Sequence, residues 1–90
     1  MIAVLFYESN DTPMEKIVEV FPRHKALLDA FHKRGELLAV GPFANPRQDG
    51  SMGIFKNRES AEAFLKLDPF INEGLVGKAT IKEWNETLMG

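Results

Sequence analysis

The stretch GELLAVGPFANPRQDGSMGIFK, residues 35–56, decides how this chain folds. It contains two β-rich runs with no helix between them. Gly35 suits the left-handed position that ends a helix, so it closes what precedes it. Glu36 to Phe43 then reads as a strand, rich in Leu37, Leu38 and Val40, and it stops at Gly41-Pro42. Ala44 to Gly50 is a loop carrying Pro46 and the turn pair Asp49-Gly50. Ser51 to Lys56 is a further strand.

Reading outward, each side of this pair carries a helical pattern. Upstream, Thr12-Pro13-Met14-Glu15 reads as a helix start: Thr12 as N-cap, Pro13 in the first helical position, Glu15 closing a capping box. That helix runs to about Arg34. Pro22 lies inside it and predicts a kink or a division near Phe21. Downstream, Asn57 or Ser60 caps a second helix that continues to Leu67. Asp68-Pro69 ends it, because a residue before proline is pushed out of the helical region. Phe70 to Gly74 reads as one irregular turn. The chain opens with a strand, Ile2 to Tyr7, and the last strand is Val76 to Trp84. Trp84 is out of phase with Ala79 and Ile81, which predicts a bulge there. The tail Asn85–Gly90 is expected to be loose. The order is β-α-β-β-α-β. Right-handed crossovers turn it into an α+β split βαβ plait, four strands with both helices on one face.

Ninety residues suit a single domain, 1–90. Apolar residues make up 44%, enough for one core. Eleven basic against thirteen acidic residues leave a net charge of −2 with no long run of either sign. That argues against nucleic acid or an anionic membrane as partner, since both call for a basic patch. The absence of cysteine excludes disulfides, thiolate metal sites and cysteine nucleophiles. No stretch approaches the roughly 20 apolar residues of a membrane span, and Met1 to Tyr7, short and without a basic n-region, reads as a strand and not as a signal peptide. A cytoplasmic location is the default expectation.

The first two strands are apolar on both faces. Val4 and Phe6 oppose Leu5 and Tyr7; Leu38 and Val40 oppose Leu37 and Ala39. Two helices cover one face of a four-stranded sheet. The other face would expose an apolar patch, and such patches mark interfaces. A homodimer packed sheet face to sheet face is therefore expected.

The clue to function is a polar residue on each apolar helix stripe. The first stripe runs Ile17, Phe21, Leu28, Phe31, with His24 on the same face; the second runs Ala61, Phe64, Leu65, and its next turn delivers Asp68. Buried polar groups are costly unless partnered. The plait brings the start of the main helical segment beside the end of the second helix, so His24 and Asp68 are expected to meet. Together they suit an acid/base dyad, the carboxylate orienting the imidazole and fixing its tautomer while the other ring nitrogen exchanges a proton with substrate. A core histidine satisfied by a carbonyl, beside an Asp-Pro turn cap, is the bland alternative. Gly41-Pro42 ends a strand that should abut this site, and Tyr7 and Phe70 are expected as further walls.

Other polar residues carry less. His32 lies off the stripe among Lys33 and Arg34 and reads as solvated. Arg47 in the loop reads as solvated or as a contact for an anionic substrate. Ser60 reads as a helix cap. Gly50 and Gly53 are turn and strand glycines, with no phosphate-cradling pattern. No metal-ligand spacing is present, and no cofactor is called for.

The combination Pro22-Arg23-His24, Gly35-Glu36-Leu37-Leu38, Gly41-Pro42, Glu59-Ser60-Ala61 and Asp68-Pro69-Phe70 followed by Gly74 resembles the YciI-like family, the YCII-related domain, over nearly the whole length. The resemblance implies a ferredoxin-like α+β fold, homodimers of the dimeric α+β barrel type, and an active site on the histidine and the Asp-Pro aspartate, which map onto His24 and Asp68. It also implies acid–base or elimination chemistry on small, often ring-shaped molecules. One departure stands out: Phe21 occupies a place where members often carry arginine, which removes an anion contact. The expectation is a lyase-, isomerase- or dehydrohalogenase-like enzyme. Its competitors are a non-catalytic small-ligand-binding dimer and a haem-using monooxygenase with His24 as axial ligand.

Overall fold

A computed structural model describes residues 1–87; Met89 and the end of the expected loose tail lie outside the described residues. The elements run β1 (Ile2–Glu8), α1 (Met14–Lys33), β2 (Leu37–Pro42), α2 (Pro46–Asp49), β3 (Ser51–Phe55), α3 (Arg58–Leu67), α4 (Pro69–Asn72) and β4 (Lys78–Trp84). The four strands form one sheet in the order β2-β3-β1-β4 with every neighbouring pair antiparallel. This is the ferredoxin-like α+β plait read from the element order, with α2 and α4 as single turns where a plain loop and an irregular turn were expected.

Four local expectations are corrected. The chain does not divide at Pro22: α1 is continuous over 20 residues. Proline withholds the amide that would bond to the Val18 carbonyl, and both residues lie on the solvent side, Val18 being 63% exposed. Water can take the freed carbonyl. Thr12 does not cap α1, because Asn10 competes for it: the Thr12 amide and hydroxyl both donate to Asn10 Oδ1, at 3.0 and 2.6 Å. Pro13 holds the cap position with no side-chain bond. Ser60 does not cap α3; the Asn57 side chain does, accepting from the Ser60 amide at 2.8 Å. The Ser60 hydroxyl instead donates to Glu36 Oε1 at 3.0 Å and ties α3 to the head of β2.

The bulge lies in β2 and not in β4. β4 pairs with β1 without a break, Trp84 opposite Ile2. In β2 the register slips between Leu37 and Ala39, so Val40 pairs with Gly53 two steps after Leu37 pairs with Phe55 on the opposing strand. Leu37 and Val40 therefore share the helix-covered face, and strict alternation of Leu37 and Ala39 against Leu38 and Val40 fails. The Gly35 stop is as read. At φ 77° it lets the Glu36 amide reach the Phe31 carbonyl and its own amide reach that of His32, both at 3.0 Å; this double bond closes the helix.

The core lies between the sheet and the helices. Phe31, Phe55 and Phe64 meet at centroid distances of 5.3–6.4 Å, packed with Ala3, Leu5 and Leu37. Tyr7, Ala79 and Ile81 extend it along the same face. The helix-free face carries Ile2, Val4, Phe6, Met52, Ile54 and Trp84, which the strand pairings bring into register. Among the described residues no helix is long and apolar enough to cross a membrane.

Candidate functional site

Asp68 is placed by the proline that follows it. Before Pro69 the backbone is held extended, φ −68° and ψ 117°, so α3 stops and α4 starts at one residue. Its side chain turns inward and is wholly buried. A buried carboxylate needs several donors, and Asp68 has three. His24 Nδ1 lies 2.8 Å from Oδ1, the Phe70 amide donates to Oδ1 at 3.0 Å, and the Tyr7 hydroxyl donates to Oδ2 at 2.5 Å. Among the described residues no buried side-chain nitrogen or oxygen is left without a partner.

His24 comes from the α1 face that carries Phe21 and Leu28. The Phe70 ring lies flat on the imidazole, centroids 4.0 Å apart and planes 3° from parallel, and Phe64 meets it edge-on at 6.2 Å. Ring stacking and the Asp68 bond together fix the imidazole plane. The network settles one ring nitrogen: a carboxylate can only accept, so Nδ1 carries a hydrogen, and Nε2 is the nitrogen left for proton exchange. Tyr7 reaches the same carboxylate from β1. Burial, then the hydrogen bond to Asp68, then the Asp68 charge push its phenol well above the usual tyrosine range, and it stays neutral.

A cavity of about 420 Å³ opens beside the pair. Its walls include Tyr7, His24, Gly41, Pro42 and Phe70, so the residues expected from sequence share one space; Asp68 lies behind His24. Phe21, 46% exposed, is a wall too, an aromatic surface where an arginine would have offered charge. Arg23 is turned away, its guanidinium paired with Glu73. Arg47 borders the cavity from α2 while its guanidinium donates to the Thr12 carbonyl at 3.0 Å. His32 is exposed, as read, with Nδ1 2.8 Å from the Leu37 carbonyl. Among the described residues no three His, Asp or Glu side chains gather to hold a metal ion.

Sequence reasoning passed over Ser51, which also lines the cavity. The signal was available: β3 alternates, so residues 51, 53 and 55 share the face of Phe55. Nor did it anticipate that Tyr7 bonds to Asp68, since nothing in either local sequence couples positions 61 residues apart.

The fold and the buried histidine–aspartate pair beside an apolar cavity define a class: small ferredoxin-like α+β proteins with a built pocket at one end of the sheet. Within that class the family model of the YCII-related domain matches residues 1–85, and the chain belongs to that family. Protein YciI of Escherichia coli O6:H1 is 26% identical over 96 residues, covering 96% of this chain and 98% of that protein, and Protein YciI of Shigella flexneri matches equally. Among solved structures, 5-chloro-2-hydroxyhydroquinone dehydrochlorinase (TftG) of Burkholderia phenoliruptrix AC1100, in complex with 2,5-dihydroxybenzoquinone, superposes with TM-score 0.77 at 17% identity, covering 94% of each chain. SnoaB, a cofactor-independent oxygenase from Streptomyces nogalater, gives TM-score 0.53 at 15% identity, covering 97% of this chain and 94% of its own.

Proposed function

We propose that this protein is an enzyme acting on a small, ring-shaped organic compound, with His24 as general acid–base and Asp68 as the residue that positions it. One observation carries the reading. His24 Nδ1 is held 2.8 Å from a wholly buried carboxylate while the same imidazole forms a wall of a cavity of about 420 Å³. A histidine kept only for packing has no need of a buried anion behind it and an open space in front.

The chemistry follows from the charges. Nε2 takes a proton from a substrate carbon or hydroxyl. The imidazolium that forms is stabilised by the carboxylate on Nδ1. In an elimination, the electrons of the broken C–H or O–H bond move into the ring system and a leaving group departs with its own electron pair. In an isomerisation, His24 returns the proton to another atom. Tyr7 remains protonated and holds Asp68 in place. The walls supplied by Phe21, Phe70 and Pro42 suit an apolar ring. That TftG is a dehydrochlorinase solved with a dihydroxybenzoquinone supports elimination on a hydroxylated ring.

The functional unit is a homodimer closed across the helix-free face. Phe6, Met52 and Ile54 form a half-buried apolar centre there, beside the buried Ile2 and Val4, that no helix covers, and packing it against a second copy removes the remaining area from water.

The test is a screen of halogenated and hydroxylated benzenes for release of halide or change of ring absorbance, with His24→Ala beside the parent protein. Turnover by the parent that falls at least about a hundredfold in the variant is expected, the usual contribution of a general acid–base. Equal turnover in both proteins removes His24 from the chemistry. Binding by the parent without turnover assigns the pocket to a carrier or sensor instead.

A further inference from the structure

Behind His24 lies a second, smaller space. It measures about 30 Å³ and lies between α1, the sheet and α3. Leu5, Leu28, Val40, Phe55 and Phe64 form its apolar walls. It shares Tyr7, His24, Leu28, Val40 and Ser51 with the outer cavity, so the two are neighbours across the imidazole. Its depth is set by Gly53 on β3, which faces the helices between Leu5 on one flank and Val40 on the other. A Cβ there would meet Phe55 Cε1 at 3.3 Å, Val40 Cγ2 at 3.5 Å and Leu37 Cδ1 at 3.6 Å, filling the floor of the space.

A space of this size holds roughly one or two non-hydrogen atoms, and a water there would need two to four polar partners. Its polar groups, on Tyr7, His24 and Ser51, all border the outer cavity as well, and the residues that line the inner space alone, Leu5, Met52, Gly53, Phe55 and Phe64, offer no polar side chain. An apolar group therefore occupies it better than water does. We infer that this space is an inner subsite for a single small apolar substituent of the substrate ring, a halogen or a methyl group, with Gly53 as the residue that sets the size limit. The inference rests on the proposed function, since it places the ring in the outer cavity and one substituent beside the imidazole. It narrows the substrate class to rings carrying at least one such group, held where His24 can reach the adjacent position. A bulky branched substituent is excluded.

The test measures dissociation constants of phenol, para-chlorophenol, para-methylphenol and para-tert-butylphenol by calorimetry, for the parent and for Gly53→Ala. Gly53 has no positive φ, and the closest contact of its added methyl is a ring edge that can yield slightly, so the variant is expected to fold. In the parent, the chloro and methyl compounds should bind about tenfold tighter than phenol, the gain from seating one such group in an apolar pocket, and the tert-butyl compound no tighter than phenol. In Gly53→Ala the chloro-to-phenol ratio should fall toward one. Phenol binding with no gain from chlorine or methyl overturns the subsite and leaves the ring-binding pocket standing. Failure of every phenol to bind overturns both. The parent series decides the matter by itself should the variant prove unstable.

Discussion

Raising the pH past 10 should weaken the fold through the Tyr7–Asp68 bond, and the chain has one tyrosine to report it. The phenol donates to a wholly buried carboxylate, so ionising it would set two anions in contact. Burial, the hydrogen bond and the Asp68 charge all push its ionisation upward. In the unfolded chain Tyr7 ionises near pH ~10. Below that pH both states keep the proton and the contribution to stability is complete. Above it the unfolded state sheds a proton that the folded state retains, and stability falls by about 1.4 kcal/mol per pH unit. Tyr7→Phe isolates this slope, because lysines and the other groups titrate in both proteins and cancel in the difference. A hydrogen bond to a charged acceptor contributes about 1.5–3 kcal/mol, so near neutral pH the parent should exceed the variant by about 2 kcal/mol. That gap should close at about pH 11.5, roughly one and a half units above the unfolded ionisation. Urea unfolding at a series of pH values gives the difference, and tyrosinate absorbance gives the ionisation. The absorbance should appear only as the chain unfolds. A folded protein whose tyrosine titrates at about pH 10, with a stability gap that does not change, would refute the network.

Four further outcomes follow from the structure. Asp68→Asn should fold, losing about 1–2 kcal/mol in denaturant unfolding: its oxygen can still accept from His24 and Phe70 on one side, and the Tyr7 hydroxyl can reverse to accept from the new amide on the other. Turnover should drop far more, because the charge facing the imidazolium is gone; a variant that retains full activity contradicts the role of Asp68. Gly50→Ala should cost about 2–3 kcal/mol or more, since φ is 78° and a Cβ would lie 1.8 Å from the Tyr7 carbonyl oxygen. Gly41→Ala, with nothing within 4 Å of its Cβ, should stay within about 0.5 kcal/mol of the parent. Phe6→Glu, on the helix-free face, should shift sedimentation from dimer to monomer; a parent already monomeric at micromolar concentration removes the interface.

Much of the fold was legible because its signals are local. The two strand runs of residues 35–56 with a helix on either side specify the plait, since few topologies accept that order. Gly35, Asn57 and Asp68-Pro69 mark helix ends through chemistry confined to a turn. The misreadings have local competitors as their cause. Asn10 holds the Thr12 hydroxyl whose oxygen would have accepted from the helix amides, Asn57 caps in place of Ser60, and the gap that Pro22 leaves faces the solvent side of α1, so the helix runs through it. The β2 bulge was not legible, because a register slip depends on the strand opposite, here on Gly53 and Phe55.

The candidate site divides the same way. The sequence alone singled out His24 and Asp68, because a polar residue on an apolar stripe conflicts with burial and the conflict is visible in the periodicity. It also placed Tyr7, Gly41, Pro42 and Phe70 near the same end of the sheet. Tertiary structure decided which atoms meet: that Asp68 holds three donors from three separate elements, that Phe70 lies flat on the imidazole, and that Gly53 leaves a second space beside it. Distances of a few ångströms between residues tens of positions apart are set by how whole elements pack, and periodicity along the chain carries no record of that packing.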